Sequence, residues 1–135
     1  MTMLQPSIEH FVTSVMVVIE PQQPVAEAAR LMREHGIRHL PVMQEGRPVG
    51  VISERDVLLI ESLKGVDAHT VQVEEAMPDE LFLVDPEAPM TRVASDMADR
   101  HYGCAVVARG QKVYGVFTTT DALRALSVSI TSDPD

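Results

Sequence analysis

Apolar residues recur along this chain with two different periods, and the same succession of periods occurs twice. Continuous apolar runs at Val15–Ile19 and Leu81–Val84 predict short strands. Each run is followed by a proline that favours the first turn of a helix, Pro24 in one half and Pro89 in the other. Apolar residues then recur at helical spacing in both halves, at Val25, Ala28, Ala29 and Met32 and at Met90, Val93, Ala94 and Met97. The pattern therefore predicts a strand followed by a helix in each half.

A strand pair and a second helix complete each half. The predicted strands are Leu40–Met43 and Pro48–Ile52 in the first half, and Ala105–Ala108 and Val113–Phe117 in the second. The second helix is expected to begin near Ser53 in one half and near Thr118 in the other. We expect Gly36 to end the first helix at its C-terminal cap and Gly65 to end the second helix.

The two halves align without a gap when the sequence is shifted by 65 positions. The shift places Pro21 on Pro86, Gly50 on Gly115 and Asp56 on Asp121, which are residues with backbone or chemical roles. A duplication of this kind predicts one repeat at residues 8–65, a connector at 66–72, a second repeat at 73–127 and an acidic, frayed tail at 128–135. One such repeat is too small to bury itself well, so we expect an α/β fold of two tandem β-α-β-β-α repeats packed as a pseudo-two-fold pair.

Composition and charge narrow the class of protein. The chain has 135 residues, a hydrophobic fraction of 45% and a net charge of −9, which together predict a folded domain and argue against nucleic-acid binding. The single cysteine, Cys104, excludes an internal disulfide framework and favours a reducing compartment. The N-terminal apolar run is too short for a membrane span and lacks the basic start of a secretory signal. We therefore expect a cytoplasmic protein with no membrane association.

One paired motif carries most of the candidate chemistry. In each half a glycine-bearing strand delivers a hydroxyl residue, Ser53 or Thr118, and a carboxylate follows three residues later, at Asp56 or Asp121. This is the spacing of a capping box, in which hydroxyl and acid satisfy free backbone N–H groups at a helix start. The same geometry suits a ligand, since a helix N-terminus attracts phosphate and an acid can accept both hydroxyls of a ribose. Both interpretations stay open for a single copy, and recurrence in two copies favours a ligand site.

With this motif at the close of each repeat, the chain resembles a cystathionine β-synthase (CBS) domain pair. The resemblance rests on the order Gly-x-x-[Ser/Thr]-x-x-Asp in both repeats and on the strand Leu40-Pro41-Val42 before the first motif. It covers about Ile8 to Leu126, and Cys104-Ala105-Val106-Val107 makes the second repeat the looser match.

The resemblance implies a regulatory module that binds AMP, ADP, ATP or S-adenosylmethionine in clefts between the repeats. The residues it assigns to the ligand are Thr13, Ile37, Arg38, His39, Ser53, Arg55, Asp56, Tyr102, Thr118 and Asp121. The two acids are expected to hold the ribose, with Thr13 and Ile37 against Asp121 and with Tyr102 against Asp56. It also implies a homodimer, formed through the helices.

The two predicted sites differ in basic residues. Arg38 and His39 precede the Leu-Pro-Val strand of the first repeat, whereas Gly103 and Cys104 stand at the equivalent positions of the second. We therefore expect the site around Asp56 to tolerate more phosphate charge. Each assignment has a structural alternative: Arg38 and Arg55 as solvated arginines, His39 as a packed histidine and Tyr102 as a core aromatic.

Other chemistry has no support in the sequence. The five histidines lack metal-ligand spacing, and no nucleophile–base–acid order or phosphate-binding loop is present. The leading hypothesis is thus a non-enzymatic sensor that needs no cofactor, binds an adenosine ligand and signals to an unidentified protein partner. The alternative is a scaffold module whose motifs are helix caps only. Single-stranded nucleic-acid binding is a third reading, disfavoured by the scarcity of Lys and aromatic residues.

Overall fold

The architecture follows the predicted alternation of helices and strands. The computed structural model describes residues 6–14 and 17–131, with side chains to residue 127. Along these residues the elements are a 3₁₀ turn (Ile8–His10), α1 (Val25–His35), β1 (His39–Gln44), β2 (Arg47–Ser53), α2 (Glu54–Ser62), α3 (Val73–Ala76), β3 (Leu83–Val84), α4 (Met90–Arg100), β4 (Cys104–Arg109), β5 (Lys112–Thr118) and α5 (Thr119–Thr131). Mixed helices and strands in two tandem copies confirm the predicted α/β class.

The chain divides into two compact units. The central unit comprises residues 15–81, and the terminal unit comprises residues 1–14 together with residues 82–135. These units are not the two sequence repeats, because the leading segment of each repeat belongs to the unit built by the other repeat. The repeat limits 8–65 and 73–127 stay a prediction about the duplicated sequence, whereas the compact units describe how the chain folds.

In the central unit, β1 and β2 form an antiparallel hairpin with an irregularity in register between Val42 and Met43. The turn between the strands places Glu45 and Gly46 at positive φ. Helices α1, α2 and α3 pack beside this hairpin, and the core is entirely apolar. Its buried members are Ile19, Val25, Ala28, Ala29, Met32, Leu40, Val42, Ile52, Val57 and Val73.

In the terminal unit, the sheet has the order β3-β4-β5. Strand β3 pairs in parallel with β4, and β4 pairs antiparallel with β5. The buried core residues are Ile8, Ala88, Val93, Met97, Ala105, Val107 and Phe117. In both units the helical stripe predicted from spacing lies on the buried side of its helix, except that Met90 and Ala94 are half-buried at the edge of the core.

The exchange of leading segments uses the same hydrogen bonds in both units. The backbone N–H of Ile8 donates to the carbonyl of Ala88 at 2.7 Å. At the equivalent positions, the N–H of Val73 donates to the carbonyl of Gln23 at 2.8 Å. Both Ile8 and Val73 are completely buried, each in the core of its unit. Neither sequence repeat therefore contains a whole core.

The first predicted strand of each repeat is shorter than expected. Val15 and Met16 lie outside the described residues, and of the rest of Val15–Ile19 only Ile19 pairs, through one parallel bridge to Val42. The predicted strand Leu81–Val84 is reduced to Leu83–Val84. In both repeats the residues that pair lie at the end of the run, Ile19 in one and Leu83 and Val84 in the other. Pro21 or Pro86 follows two residues later and has no N–H with which the pairing could continue.

Helix ends partly match the expectations. Pro24 and Pro89 occupy the N-cap, one position before the predicted first turn, and Gly36 caps α1 in the left-handed conformation with φ 64°. The prediction that Gly65 ends α2 is wrong, because α2 ends at Ser62 and Leu63 already leaves the helix in extended conformation. The predicted tail at 128–135 begins inside α5, which continues to Thr131, while residues 132–135 lie outside the described residues.

Gly50 and Gly115 occupy equivalent positions in the two units, and each lies close to a residue of the leading segment. The atoms nearest to the two glycines differ. A Cβ on Gly115 would lie 2.3 Å from the carbonyl oxygen of Thr13, which is a backbone atom, and Gly115 has φ 154°. A Cβ on Gly50 would instead lie 2.6 Å from the sulfur of Met77, which is part of a flexible side chain. The nearest neighbour is therefore backbone at Gly115 and a side chain at Gly50.

Because the neighbours of the two glycines differ, we expect their substitution by alanine to change the free energy of unfolding unequally. Gly115→Ala is expected to lower the free energy of unfolding by about 2 kcal/mol, because the Thr13 backbone must move away. Gly50→Ala is the matched control and is expected to change it by less than about 1 kcal/mol, because Met77 can change rotamer. Urea denaturation of both variants and the parent tests this expectation. Equal losses at the two positions would contradict it.

Candidate functional site

The motif of the central unit is a complete capping box at the junction of β2 and α2. The Ser53 N–H donates to Oδ2 of Asp56 at 2.8 Å, and the Ser53 hydroxyl donates to the same oxygen at 2.9 Å. In return, the Asp56 N–H donates to the Ser53 hydroxyl oxygen at 3.2 Å. Because all of these bonds to the acid end on Oδ2, Oδ1 of Asp56 has no hydrogen-bond partner among the residues that the structure describes.

The motif of the terminal unit repeats this geometry at the junction of β5 and α5. The N–H and the hydroxyl of Thr118 donate to Oδ2 of Asp121 at 2.9 and 3.0 Å, and the Asp121 N–H donates back to the hydroxyl oxygen at 3.1 Å. The cap that the spacing predicted is therefore present in both units. Its chemical content is a hydroxyl and a carboxylate held at a helix N-terminus.

Asp121 has two further partners. The Thr13 hydroxyl lies 3.0 Å from Oδ1 and 3.2 Å from Oδ2, and the guanidinium of Arg124 lies 3.4 Å from Oδ1. The Asp121 side chain is only 5% exposed. The structure thus brings Thr13 and Asp121 together, and it adds Arg124, which sequence reasoning missed. The signal for Arg124 was its position three residues after Asp121 on the same helix.

The basic residues of the first repeat lie beside the Ser53–Asp56 motif. The carbonyl of Arg38 accepts the N–H of Glu54 at 2.8 Å, and His39 is paired with Ser53 across the hairpin. The Arg38 side chain is exposed, whereas His39 is half-buried. The start of β1 and the start of α2 are consequently adjacent, so that Arg38 and His39 lie at the end of the hairpin that carries the acid.

Ile37 and Arg55 are the other central-unit residues that the resemblance assigns to a ligand, and their environments differ. Ile37 is partly buried and packs against the central core, with its N–H donating to the carbonyl of Met32 at 3.0 Å. Arg55 is exposed on the first turn of α2. Ile37 therefore has the packing of a core-edge residue, and Arg55 is accessible to an anion.

Tyr102 of the terminal unit corresponds to Ile37 of the central unit under the 65-residue shift. Its ring lies 5.2 Å from the ring of Phe82, centroid to centroid, and it is half-buried at the edge of the terminal core. The next residue, Gly103, accepts the N–H of Thr119 through its carbonyl at 3.1 Å, as Arg38 accepts that of Glu54. Tyr102 thus sits next to the start of α5.

An open depression of about 450 Å³ lies beside Tyr102 in the terminal unit. It is lined by Ala94, Met97, Ala98, His101, Tyr102, Gly103, Thr119 and Ala122. Alanines at three of these positions leave space between α4 and α5. Sequence reasoning identified Tyr102 alone among these residues, and the clustering of alanines on two helices was the signal for the others.

Some predicted pairings involve residues of different units. Ile37 belongs to the central unit and Asp121 to the terminal unit, while Tyr102 belongs to the terminal unit and Asp56 to the central unit. A shared ligand for either pair stays a prediction.

With this geometry in place, the family follows from comparison with known proteins. The CBS domain model matches the chain twice, at residues 8–62 and 73–128. The chain therefore belongs to the CBS domain family, and the resemblance stated from the motifs is confirmed. The CBS domain-containing protein YhcV of Bacillus subtilis (strain 168) is 30% identical over 92 residues, which are 68% of this chain and 65% of that protein.

Solved structures show the same fold. The CBS domain pair of protein MJ0100, in complex with 5′-methylthioadenosine and S-adenosyl-L-methionine, is 21% identical with a TM-score of 0.80, and the match covers 93% of this chain and 99% of that chain. The hexameric CBS-CP12 protein from bloom-forming cyanobacteria is 26% identical with a TM-score of 0.82, covering 96% of this chain and 73% of that chain.

The described part of the chain holds neither a cluster of metal ligands nor a helix that could span a membrane. Between residues 6 and 131, apart from 15 and 16, no three His, Cys, Asp or Glu side chains come together as metal ligands. Over the same residues, no helix combines the length and apolarity needed to cross a bilayer.

The unequal partners of the two acids predict unequal effects on stability. Asp56→Ala is expected to cost about 1 kcal/mol, the usual loss for a helix cap. Asp121→Ala is expected to cost about 2 kcal/mol, because it removes a buried side chain together with the hydrogen bond that Thr13 donates to it. Denaturant unfolding without ligand measures both. A larger loss for Asp56→Ala than for Asp121→Ala would contradict this reading of the contacts.

Proposed function

We propose that this CBS pair is a regulatory module that binds an adenosine-containing ligand, namely AMP, ADP, ATP or S-adenosylmethionine, and passes the signal to a partner protein. The observation that carries the proposal is the hydroxyl–carboxylate junction, built with the same three hydrogen bonds in both units. In the central unit the acid retains an oxygen, Oδ1 of Asp56, that can accept donors from a ligand.

The chemistry of a nucleoside fits this junction. A ribose presents two neighbouring hydroxyl donors, and a carboxylate accepts such a pair. The N-terminus of α2 adds a partial positive charge that attracts phosphate. Arg38 and His39 stand beside the Ser53–Asp56 motif, and Arg55 is exposed on α2. The two arginines favour a charged phosphate chain near Asp56 despite the net charge of −9, and the imidazole of His39 offers a further hydrogen-bonding group.

The apolar residues are proposed to contact the base. Tyr102 presents an aromatic ring beside the depression in the terminal unit, and Ile37 presents an aliphatic side chain at the edge of the central core. We propose that these side chains bind adenine, with Thr118 and Asp121 forming the second motif. Stacking on an aromatic face suits a purine because every base has a π-face.

The comparisons support the ligand class and the type of protein. Both ligands of the MJ0100 pair, 5′-methylthioadenosine and S-adenosyl-L-methionine, contain adenosine. The hexameric state of the CBS-CP12 protein is in keeping with self-association, and we propose a homodimer for this chain. We also propose that the module regulates and does not catalyse, that it requires no cofactor, and that it acts in the cytoplasm.

Thermal unfolding against a panel of AMP, ADP, ATP, S-adenosylmethionine, NAD and GTP tests the proposal. A ligand at 100 times its dissociation constant adds about 2.7 kcal/mol to the folded state, which raises the Tm of a domain of this size by several degrees. We expect such a rise with at least one adenosine compound and none with GTP. No rise with any compound at millimolar concentration would overturn the proposal.

Asp56→Asn is the matched variant for this experiment. The amide keeps the size of the side chain and one acceptor oxygen, but it loses the charge and half of the acceptor capacity. We expect the variant to fold and to lose most of the ligand-dependent rise in Tm. Glu61→Gln, an equivalent change on an exposed residue of the same helix, is the control and is expected to behave as the parent.

A scaffold module is the second candidate function, and one observation favours it. Both acids already satisfy the N–H groups of their own helix starts, so each motif has a structural role without any ligand. Under this hypothesis, Asp56→Asn changes the stability of the protein equally with and without nucleotides. The same unfolding panel therefore separates the two candidates.

A further inference from the structure

Met77 lies at the C-terminal end of the leading segment that the second repeat contributes to the central unit. The segment enters the unit at Val73, which is completely buried and donates its N–H to the carbonyl of Gln23 at 2.8 Å. Met77 follows α3 as its C-cap and packs against the central core, whereas residues 78–80 are exposed. The Met77 side chain therefore holds the C-terminal end of this segment on the central unit.

The thioether of Met77 occupies the space beside Gly50 on β2. Its sulfur lies 2.6 Å, and its terminal methyl carbon 3.0 Å, from the position that a Cβ on Gly50 would take. Gly50 is buried, so the thioether fills the place of the side chain that the strand lacks there. A thioether suits such a place because it is apolar, flexible and polarisable.

The sulfur of a methionine is also the atom of an apolar side chain that oxidants attack. Met77 is half-buried, so a molecule as small as hydrogen peroxide can reach it, whereas Met32 and Met97 are only 5% and 4% exposed. A sulfur lone pair attacks one peroxide oxygen, and the O–O bond breaks as the S–O bond forms. The proton of the transferred oxygen passes to the departing hydroxide, which leaves as water. The thioether is thereby oxidised to a sulfoxide, and the peroxide is reduced.

The equivalent place in the terminal unit carries no sulfur. Val12 corresponds to Met77 under the 65-residue shift, and its Cγ2 lies 3.2 Å from the position that a Cβ on Gly115 would take. Val12 also packs against the terminal core, as Met77 packs against the central one. Because peroxide does not oxidise valine, we expect it to act on the leading segment of the central unit and to spare the equivalent segment of the terminal unit.

From these contacts we infer that Met77 is a site of reversible oxidation, and that its sulfoxide releases the end of α3 from the central unit. The release results from polarity and not from crowding. A thioether that changes rotamer still packs on apolar neighbours, whereas the sulfoxide oxygen is a strong hydrogen-bond acceptor that must stay in water. The oxidised side chain therefore leaves the edge of the core, and its contact with Gly50 is lost. Methionine sulfoxide reductases reverse the change by restoring the thioether.

Treatment of the full chain with hydrogen peroxide tests this inference. Dithiothreitol is added afterwards, so that a sulfenic acid or disulfide at Cys104 returns to the thiol while methionine sulfoxides remain. Peptide mass spectrometry is expected to find Met77 oxidised before Met32 and Met97. Thermal unfolding is expected to show a Tm lowered by about 4 °C. Incubation with the two methionine sulfoxide reductases, one for each epimer, is expected to restore the Tm.

Met77→Leu is the variant that assigns the effect to one sulfur. Leucine keeps an apolar side chain of similar volume and has no atom that peroxide oxidises, so we expect the variant to fold and to keep its Tm after treatment. Met43→Leu replaces a half-buried methionine of β1 in the same unit and is the matched control, expected to lose Tm as the parent does. The inference is overturned if peroxide lowers the Tm of Met77→Leu as much as that of the parent, or if Met77 is oxidised without any loss of Tm.

Met77→Gln keeps the test decisive if Met77→Leu does not fold, because the amide places a polar group at the same position without any oxidant. We expect the backbone amides of residues 73–77 to exchange with deuterium at least about fivefold faster in this variant than in the parent. Met43→Gln is the matched control and is expected to leave exchange at these residues unchanged. Equal exchange at residues 73–77 in Met77→Gln and in the parent would overturn the inference.

Discussion

The structure of both units depends on a carboxylate that joins the end of a strand to the start of a helix. A strand that turns directly into a helix leaves N–H groups unsatisfied at the junction. Asp56 and Asp121 accept these donors, and the carbonyls of Arg38 and Gly103 accept the next N–H of each helix. The hairpin, the helix and the approach to the hairpin are thereby held in one arrangement, and the candidate site is the place where they meet.

The strand–helix junction has different neighbours in the two units, because different residues of the leading segment lie beside it. In the terminal unit the leading segment runs against Gly115, where it leaves no room for a side chain, and its hydroxyl completes the coordination of Asp121. In the central unit the atoms nearest to Gly50 belong to the Met77 side chain, and the described residues leave one oxygen of Asp56 without a hydrogen-bond donor. A duplicated motif has therefore produced one buried acid with several partners and one half-buried acid with fewer.

The exchange of leading segments links the two halves of the duplication. Ile8 completes the core built around Phe117, and Val73 completes the core built around Leu40. Each repeat thus supplies a buried residue that the other requires, which is consistent with the small apolar face of a single repeat. The helix caps and the hairpins, in contrast, are made within each unit from residues close in sequence.

The sequence by itself determined the local elements: the helices α1 and α4 from their apolar spacing, the hairpin strands from their apolar runs, and the two capping motifs from Ser53–Asp56 and Thr118–Asp121. These features depend on side chains a few residues apart, so local periodicity and capping chemistry are sufficient. Only the tertiary structure decided that residues 8–14 join the terminal unit, that Ile19 pairs through a single bridge, and that the Thr13 hydroxyl donates directly to Asp121. The family resemblance predicted that Thr13 lies against Asp121, but the two residues are 108 positions apart, and no local pattern in the sequence encodes a hydrogen bond over that separation.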